Sequence, residues 1–349
     1  MWITLLPASL LFFVLTLTSG LLVISSSSWI FSFAGLVLNT AAITPNLIQF
    51  SPFGWKSGEA AGKYFLVQAK ASSTFALGSA VFWHWDSPTQ IFLGLTPTEW
   101  GLIFLFSSMI LKLGLFPFYA WIPGVMSGLS WTNCWLVLTW QKYFPLVIAL
   151  QVTTSSASNF FQSIVMLTVS TTAILGALLG LGQTNLRALV AYSSLVHGSW
   201  SLMASILGMK TLALYMIVYT CTLGTTVFMF SRSSARSVQD PKILVSVSPA
   251  ATILSILSLA GAPPLLGFFG KWLVIAQWTN MEMVTLPLSA SLLGSLISLN
   301  FYLSMCWGLF WASSSELSLK KLPNPTHLST VFSLNILASM QMALLITLN

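Results

Sequence analysis

Runs of about twenty apolar residues recur along nearly the whole chain and restrict its fold more than any other feature. A helix needs about 20 residues to cross about 30 Å of hydrocarbon, and backbone in that layer must satisfy its own hydrogen bonds. Cutting the chain at charges, Pro/Gly clusters and Ser-rich stretches predicts eleven helices, over about 2–24, 29–50, 60–83, 99–119, 131–151, 160–181, 185–207, 210–230, 244–278, 286–311 and 328–348. Composition points the same way, because 56% hydrophobic and 5% charged residues leave too little polar surface to coat a soluble body. The fold class expected is an all-α integral membrane protein. No connection is long enough for an extramembrane domain, so residues 1–349 are read as a single transmembrane bundle. A soluble enzyme is excluded, and nothing points to nucleic acid.

The N-terminus has no basic n-region and no Arg-rich amphipathic presequence, so its apolar run reads as a retained first span. Cys134, Cys221 and Cys306 lie far apart, without metal-binding spacing, and read as small apolar residues. Loop charges test the cutting of the helices. With the N-terminus on one side, that side receives Lys56, Lys63, Arg187, Arg232, Arg236, Lys242, Lys320 and Lys321, and the opposite side only Lys210. The positive-inside rule then places the N-terminus in the compartment of synthesis.

Four cations remain inside apolar spans: Lys70, Lys112, Lys142 and Lys271. A lysine at the membrane centre costs about 2.5–3.5 kcal/mol, so such residues are expected to face a bundle interior. Burial disfavours the charged amine, which makes these groups candidate proton carriers. Lys70 fits snorkelling from near a helix end best. The other three stand beside helix breakers. Pro117 follows Lys112, Pro145 follows Lys142 with the carbonyl of Gln141 expected to be freed, and Lys271 follows Pro263 and Pro264 in a segment too long for one simple span. That ninth segment is predicted to be discontinuous, and broken helices at membrane depth mark ion paths in transporters.

A fifth candidate is His197, which shares an apolar helix with Tyr192, Ser193 and Ser194. Ser193 and His197 are four residues apart on one helical face, a spacing suited to a hydroxyl–water–imidazole relay. His84 and His327 read as interfacial. Acidic partners are scarce: Glu59 pairs with Lys63 at i,i+4, Lys70 follows on the same side, and Asp86, Glu99, Asp240, Glu282 and Glu316 fall in or beside loops.

EAAGKYFLVQA at 59–69, LKLGLFPFYAWIP at 111–123, LTWQKYFP at 138–145, LRALVAYSSLVHGSW at 186–200 and GAPPLLGFFGKW at 261–272 together resemble one family, over nearly the whole chain. It is the mitochondrially encoded chain 2 family of NADH-ubiquinone oxidoreductase, antiporter-like subunits of respiratory complex I. Its animal members have eleven helices. The resemblance implies a multi-pass protein of the mitochondrial inner membrane, N-terminus in the matrix, that translocates protons coupled to electron transfer from NADH to ubiquinone. By resemblance, Lys112 and Lys142 match two central-axis lysines, Lys271 the lysine of the later broken helix, and His197 the histidine of the AYSS helix. Glu59, Lys63, Lys70, Tyr192 and Ser193 are possible partners of that set. The implied partners are other membrane-arm subunits and membrane lipids. The chain itself is expected to bind no cofactor or metal, with NADH, FMN, iron–sulfur clusters and ubiquinone used by the whole complex.

Two departures from the family pattern bear on mechanism. Where members usually read GLExN, this chain reads GLVLN, so Val37 stands at the position of the carboxylate that pairs the first lysine. Glu59, a neighbouring subunit's residue, or desolvation and water alone then take its role. Ala188 also stands where a basic residue usually follows Arg187, and Lys70 at a usually neutral position. The alternatives to the complex I reading are a free-standing cation/proton antiporter and a passive structural subunit.

Overall fold

The computed structural model describes residues 7–26, 28–49, 54–84, 96–155, 158–233, 237, 249–281 and 284–316. These residues are helical apart from short connections, with an isolated antiparallel bridge between Asn185 and Ser237. Four of the described helices carry stretches long and apolar enough to cross a membrane: Trp29–Ile48, Asn159–Gly180, Met209–Arg232 and Thr285–Phe310. The predicted span 328–348 lies outside the described residues, as do His327 and the side chain of His84.

The chain divides into two compact units, Met1–Thr168 and Val169–Asn349. The first contains α1 (Pro7–Ser25), α2 (Trp29–Gln49), α3 (Trp55–His84), α4 (Pro97–Leu113), α5 (Trp121–Gly128), α6 (Trp131–Leu138) and α7 (Trp140–Ser155). Helix α8 (Asn159–Gly180) begins in the first unit and runs on into the second. In the first unit α3 packs against α2, α4 and α5, and α7 against α1, α4 and α6. Ala60, Ala61, Tyr64, Gln68, Ala71 and Phe75 form the buried side of α3, at the three- and four-residue spacing of one helical face. The α3–α4 contact is close because glycine sits on both sides of it. A Cβ at Gly78 would stand 2.8 Å from the Leu105 nitrogen, and one at Gly101 2.9 Å from the Phe82 nitrogen.

The second unit contains α9 (Leu186–Leu207), α10 (Met209–Ser233), α11 (Pro249–Ala260), α12 (Leu266–Asn280) and α13 (Thr285–Glu316). Helix α9 is buried nearly all round, and α10, α12 and α13 pack on it.

Three expected spans are interrupted rather than one. The break in 244–278 is present, between Ala260 and Leu266. The span expected over 99–119 ends at Leu113, because Gly114 takes a left-handed conformation (φ +65°) that closes α4; a cis Phe116–Pro117 bond follows before α5 begins. The span expected over 131–151 yields at Thr139, three residues before Lys142, while α7 continues through Pro145. Pro145 lies in the second turn of α7, so the carbonyl it cannot serve belongs to the first turn, and the helix is interrupted upstream instead.

Candidate functional site

In the first unit, α4 brings Lys112 and α7 brings Lys142 to one small cavity. Both side chains are 5% exposed. The cavity measures about 10 Å³, close to the space one water molecule needs, and Tyr64, Gln68, Trp121 and Gln141 contribute its remaining polar groups. Among the described residues no carboxylate lines it. The Lys112 ammonium is buried without a hydrogen-bond partner among the described residues.

The end of α4 explains how Lys112 is presented. Its last carbonyls have no partner further along the helix. The Gly114 N–H donates to Leu111 at 3.3 Å and the Leu115 N–H to Ile110 at 3.0 Å. The Trp121 indole donates to the Leu111 carbonyl at 3.2 Å, and the Gln68 amide to the Lys112 carbonyl at 3.4 Å. Side chains from α3 and α5 thus hold the backbone of the lysine and of the residue before it.

Gln141 is the polar centre of the first unit. Its Oε1 accepts from Asn39 Nδ2 at 2.8 Å and from the Tyr64 hydroxyl at 3.2 Å, and its Nε2 donates to Asn39 Oδ1 at 3.2 Å. Three helices are therefore tied together one residue before Lys142. The GLVLN segment divides its side chains accordingly: Asn39 points inward to Gln141, and Val37 is 37% exposed.

In the second unit the break after α11 presents two successive carbonyls to two titratable side chains. Lys271 Nζ donates to Ala260 at 2.8 Å, and His197 Nε2 lies 3.2 Å from the Leu259 carbonyl. A cation at a helix C-terminus is favoured by the local dipole and by the free carbonyls. A carbonyl only accepts, so His197 carries a proton on Nε2, and in the neutral ring Nδ1 accepts from the Tyr215 hydroxyl at 2.9 Å. The Tyr219 ring lies against the imidazole with centroids 4.9 Å apart. Gly261 (φ +83°) makes the turn, and a Cβ there would stand 2.8 Å from Lys271 Nζ.

Some residues named from the sequence stand apart from these clusters. Ser193 is buried, and its hydroxyl donates to the Val190 carbonyl of its own helix at 2.9 Å, while the His197 ring has a side-chain partner in Tyr215 from α10. Tyr192 is half-buried and Lys70 is exposed. Glu59 and Lys63 form an ion pair of 2.6 Å, both half-exposed. The hydrogen bond and charge of Lys63 hold the Glu59 carboxyl below the usual range. Among the described residues no group of three or more His, Cys, Asp or Glu is placed to hold a metal.

Residues 42–298 match the family described as NADH:quinone oxidoreductase/Mrp antiporter, TM. NADH-ubiquinone oxidoreductase chain 2 of Anopheles gambiae is 33% identical over 305 residues, 86% of this chain and 85% of that one. The protein of the same name from Ceratotherium simum is 30% identical over 332 residues, 93% of each. The chain belongs to this family. A chain of respiratory complex I from Thermus thermophilus, determined with bound aureothin, shares the fold with a TM-score of 0.76 at 23% identity, over 97% of this chain and 77% of that one. All five sequence segments that carry the resemblance lie within the matched residues, and four of them hold Lys112, Lys142, His197 and Lys271.

Proposed function

We propose that this chain is a core membrane subunit of the proton-pumping NADH:ubiquinone oxidoreductase, moving protons across the mitochondrial inner membrane as electrons pass from NADH to ubiquinone. Its enzyme status is that of a subunit. NADH, FMN, iron–sulfur clusters and ubiquinone belong to the complex as a whole, whose other membrane-arm chains are its partners. The reading takes residues 1–349 as one translocating domain of eleven spans with the N-terminus in the matrix. Family membership supports the assembly.

The observation that carries the proton-handling part is the small cavity shared by Lys112 and Lys142, with no carboxylate among its described lining residues. An amine holds a proton as a cation and releases it as a neutral base. Two amines facing one water-sized space disfavour double occupancy by charge, so a proton on one opposes a proton on the other. With Val37 in place of an acid, the proton shuttles between amines with water and the amides of Gln68 and Gln141 as relay groups. His197, with its Tyr215 partner, and Lys271 handle protons at the end of α11.

Lys112→Met and Lys142→Met test this in the assembled complex, with proton pumping and NADH oxidation measured together. Both variants are expected to lower the protons moved per NADH oxidised. Full pumping at normal NADH oxidation in both sinks the reading.

A further inference from the structure

Of the four lysines within predicted spans, Lys112, Lys142 and Lys271 are buried and Lys70 is exposed. Lys70 belongs to an outward line on α3 made by Glu59, Lys63, Leu66, Lys70, Ser73 and Leu77, all exposed, on the side away from Tyr64, Gln68 and Ala71. From Lys63 to His84 the helix rises about 31 Å at about 1.5 Å per residue. That matches a hydrocarbon layer of about 30 Å, so with α3 crossing the membrane as the predicted span 60–83 requires, the backbone of Lys70 stands about 10 Å inside it. A charge at such depth faces a protein interior, a polar cavity or an anion rather than acyl chains.

Among the described residues no carboxylate is paired with Lys70. Glu59 is bonded to Lys63 at 2.6 Å and stands about 16 Å from Lys70 along the helix. The Ser73 hydroxyl turns back to the Lys70 carbonyl at 2.8 Å and does not serve the ammonium. The remaining acidic residues, Asp86, Glu99, Asp240, Glu282 and Glu316, all lie in or beside predicted loops, and the predicted span 328–348 contains none.

We propose that the Lys70 face of α3 seats a membrane-spanning helix of another chain, which presents an Asp or Glu carboxylate to the Lys70 ammonium. The complementary charge gives the contact its register, because an unpaired carboxylate at that depth is as costly as an unpaired lysine. Leu66 and Leu77, exposed above and below, provide the apolar contact on either side of the pair. The proposal needs only that the chain is assembled with other membrane proteins, and it stands whether or not Lys112 and Lys142 carry protons.

The test uses the assembled complex in its own membrane. A membrane-permeant carbodiimide joins an amine to a carboxylate only when the two are in contact, and mass spectrometry of the digested complex reads the linked peptides. In parallel, a membrane-permeant acylating reagent measures how fast Lys70 reacts before and after detergent disperses the subunits. The supporting result is an amide bond from Lys70 to a carboxylate in another chain's membrane helix, with acylation at least about tenfold slower before dispersal. Equal acylation in both states indicates a lysine snorkelling to lipid headgroups and overturns the proposal. A bond to one of this chain's own carboxylates, or protection without any bond, overturns it as well. A pumping defect in the Lys112 and Lys142 variants has no bearing on these outcomes, so the two readings fail separately.

Discussion

Gln141 and Tyr215 are where single side chains matter most. Gln141→Leu leaves the Asn39 amide, buried and bonded in both directions, without either partner. Each orphaned buried group costs about 1–3 kcal/mol. The variant is therefore expected to lose thermal stability in the assembled complex, whereas the Asn39→Leu, Gln141→Leu double variant recovers part of the loss because it removes both polar partners. Additive losses, read as the shift in melting temperature of the NADH-oxidising assembly, contradict the reciprocal amide pair. Tyr215→Phe keeps ring volume and removes the hydroxyl that serves His197 Nδ1. A bond worth about 1–1.4 kcal/mol corresponds to about a five- to tenfold effect. The expected outcome is a drop of that size in pumping rate and a displaced pH profile, with assembly retained; an unchanged profile means that Tyr215 only packs.

At the scale of the helix, the interruptions organise the chemistry, and Gly261 separates strain from placement. Gly261→Ala puts a Cβ on a residue at φ +83° and against the Lys271 ammonium, 2.8 Å away. The left-handed conformation alone costs an alanine about 1–2 kcal/mol. Gly208→Ala is the comparison, since Gly208 also has positive φ (+135°) but nothing lies within 4 Å of its Cβ position. Both variants are expected to lower the amount of assembled complex, and Gly261→Ala alone to lower protons pumped per NADH in what assembles. Equal pumping per complex would show that the Lys271–Ala260 contact is structural. The break in 244–278 was legible because two prolines and a lysine announce it. The ends of the other two interrupted helices were not, because proline marks a missing donor without saying which turn gives way. In α4 Gly114 decides it, and in the α6–α7 pair Thr139 does, six residues before the proline. The lysines stood out against an apolar background; Gln68 and Tyr64 were missed, although their four-residue spacing on α3 was an available signal. The Asn39–Gln141 pair joins residues 102 apart in sequence, and no local pattern reports a contact between distant helices. Tyr215 escaped notice for the same reason: its tie to His197 is set by how α9 and α10 pack, not by spacing along either.

At the scale of the whole chain, orientation rests on the distribution of nine loop cations rather than on the net charge of +7. The α9–α10 connection supplies the sharpest test, because Lys210 is the one cation assigned to the side opposite the N-terminus. Lys210 and Lys56 are both exposed at the starts of their helices, within reach of an aqueous reagent. With the N-terminus in the matrix, a membrane-impermeant acylating reagent is expected to modify Lys210 in mitoplasts and to leave Lys56 unmodified there. In inverted inner-membrane vesicles the pattern reverses. Between Lys56 and Lys210 the chain must then cross the membrane an odd number of times. The predicted spans from 60–83 to 185–207 make five crossings, and the interrupted α6–α7 segment must count as one of them. If α6 and α7 instead return to the side they entered from, the two lysines face the same side and are modified together. The labelling thus decides whether the Thr139 interruption lies within a single crossing, as the proposed role of Lys142 in moving protons requires.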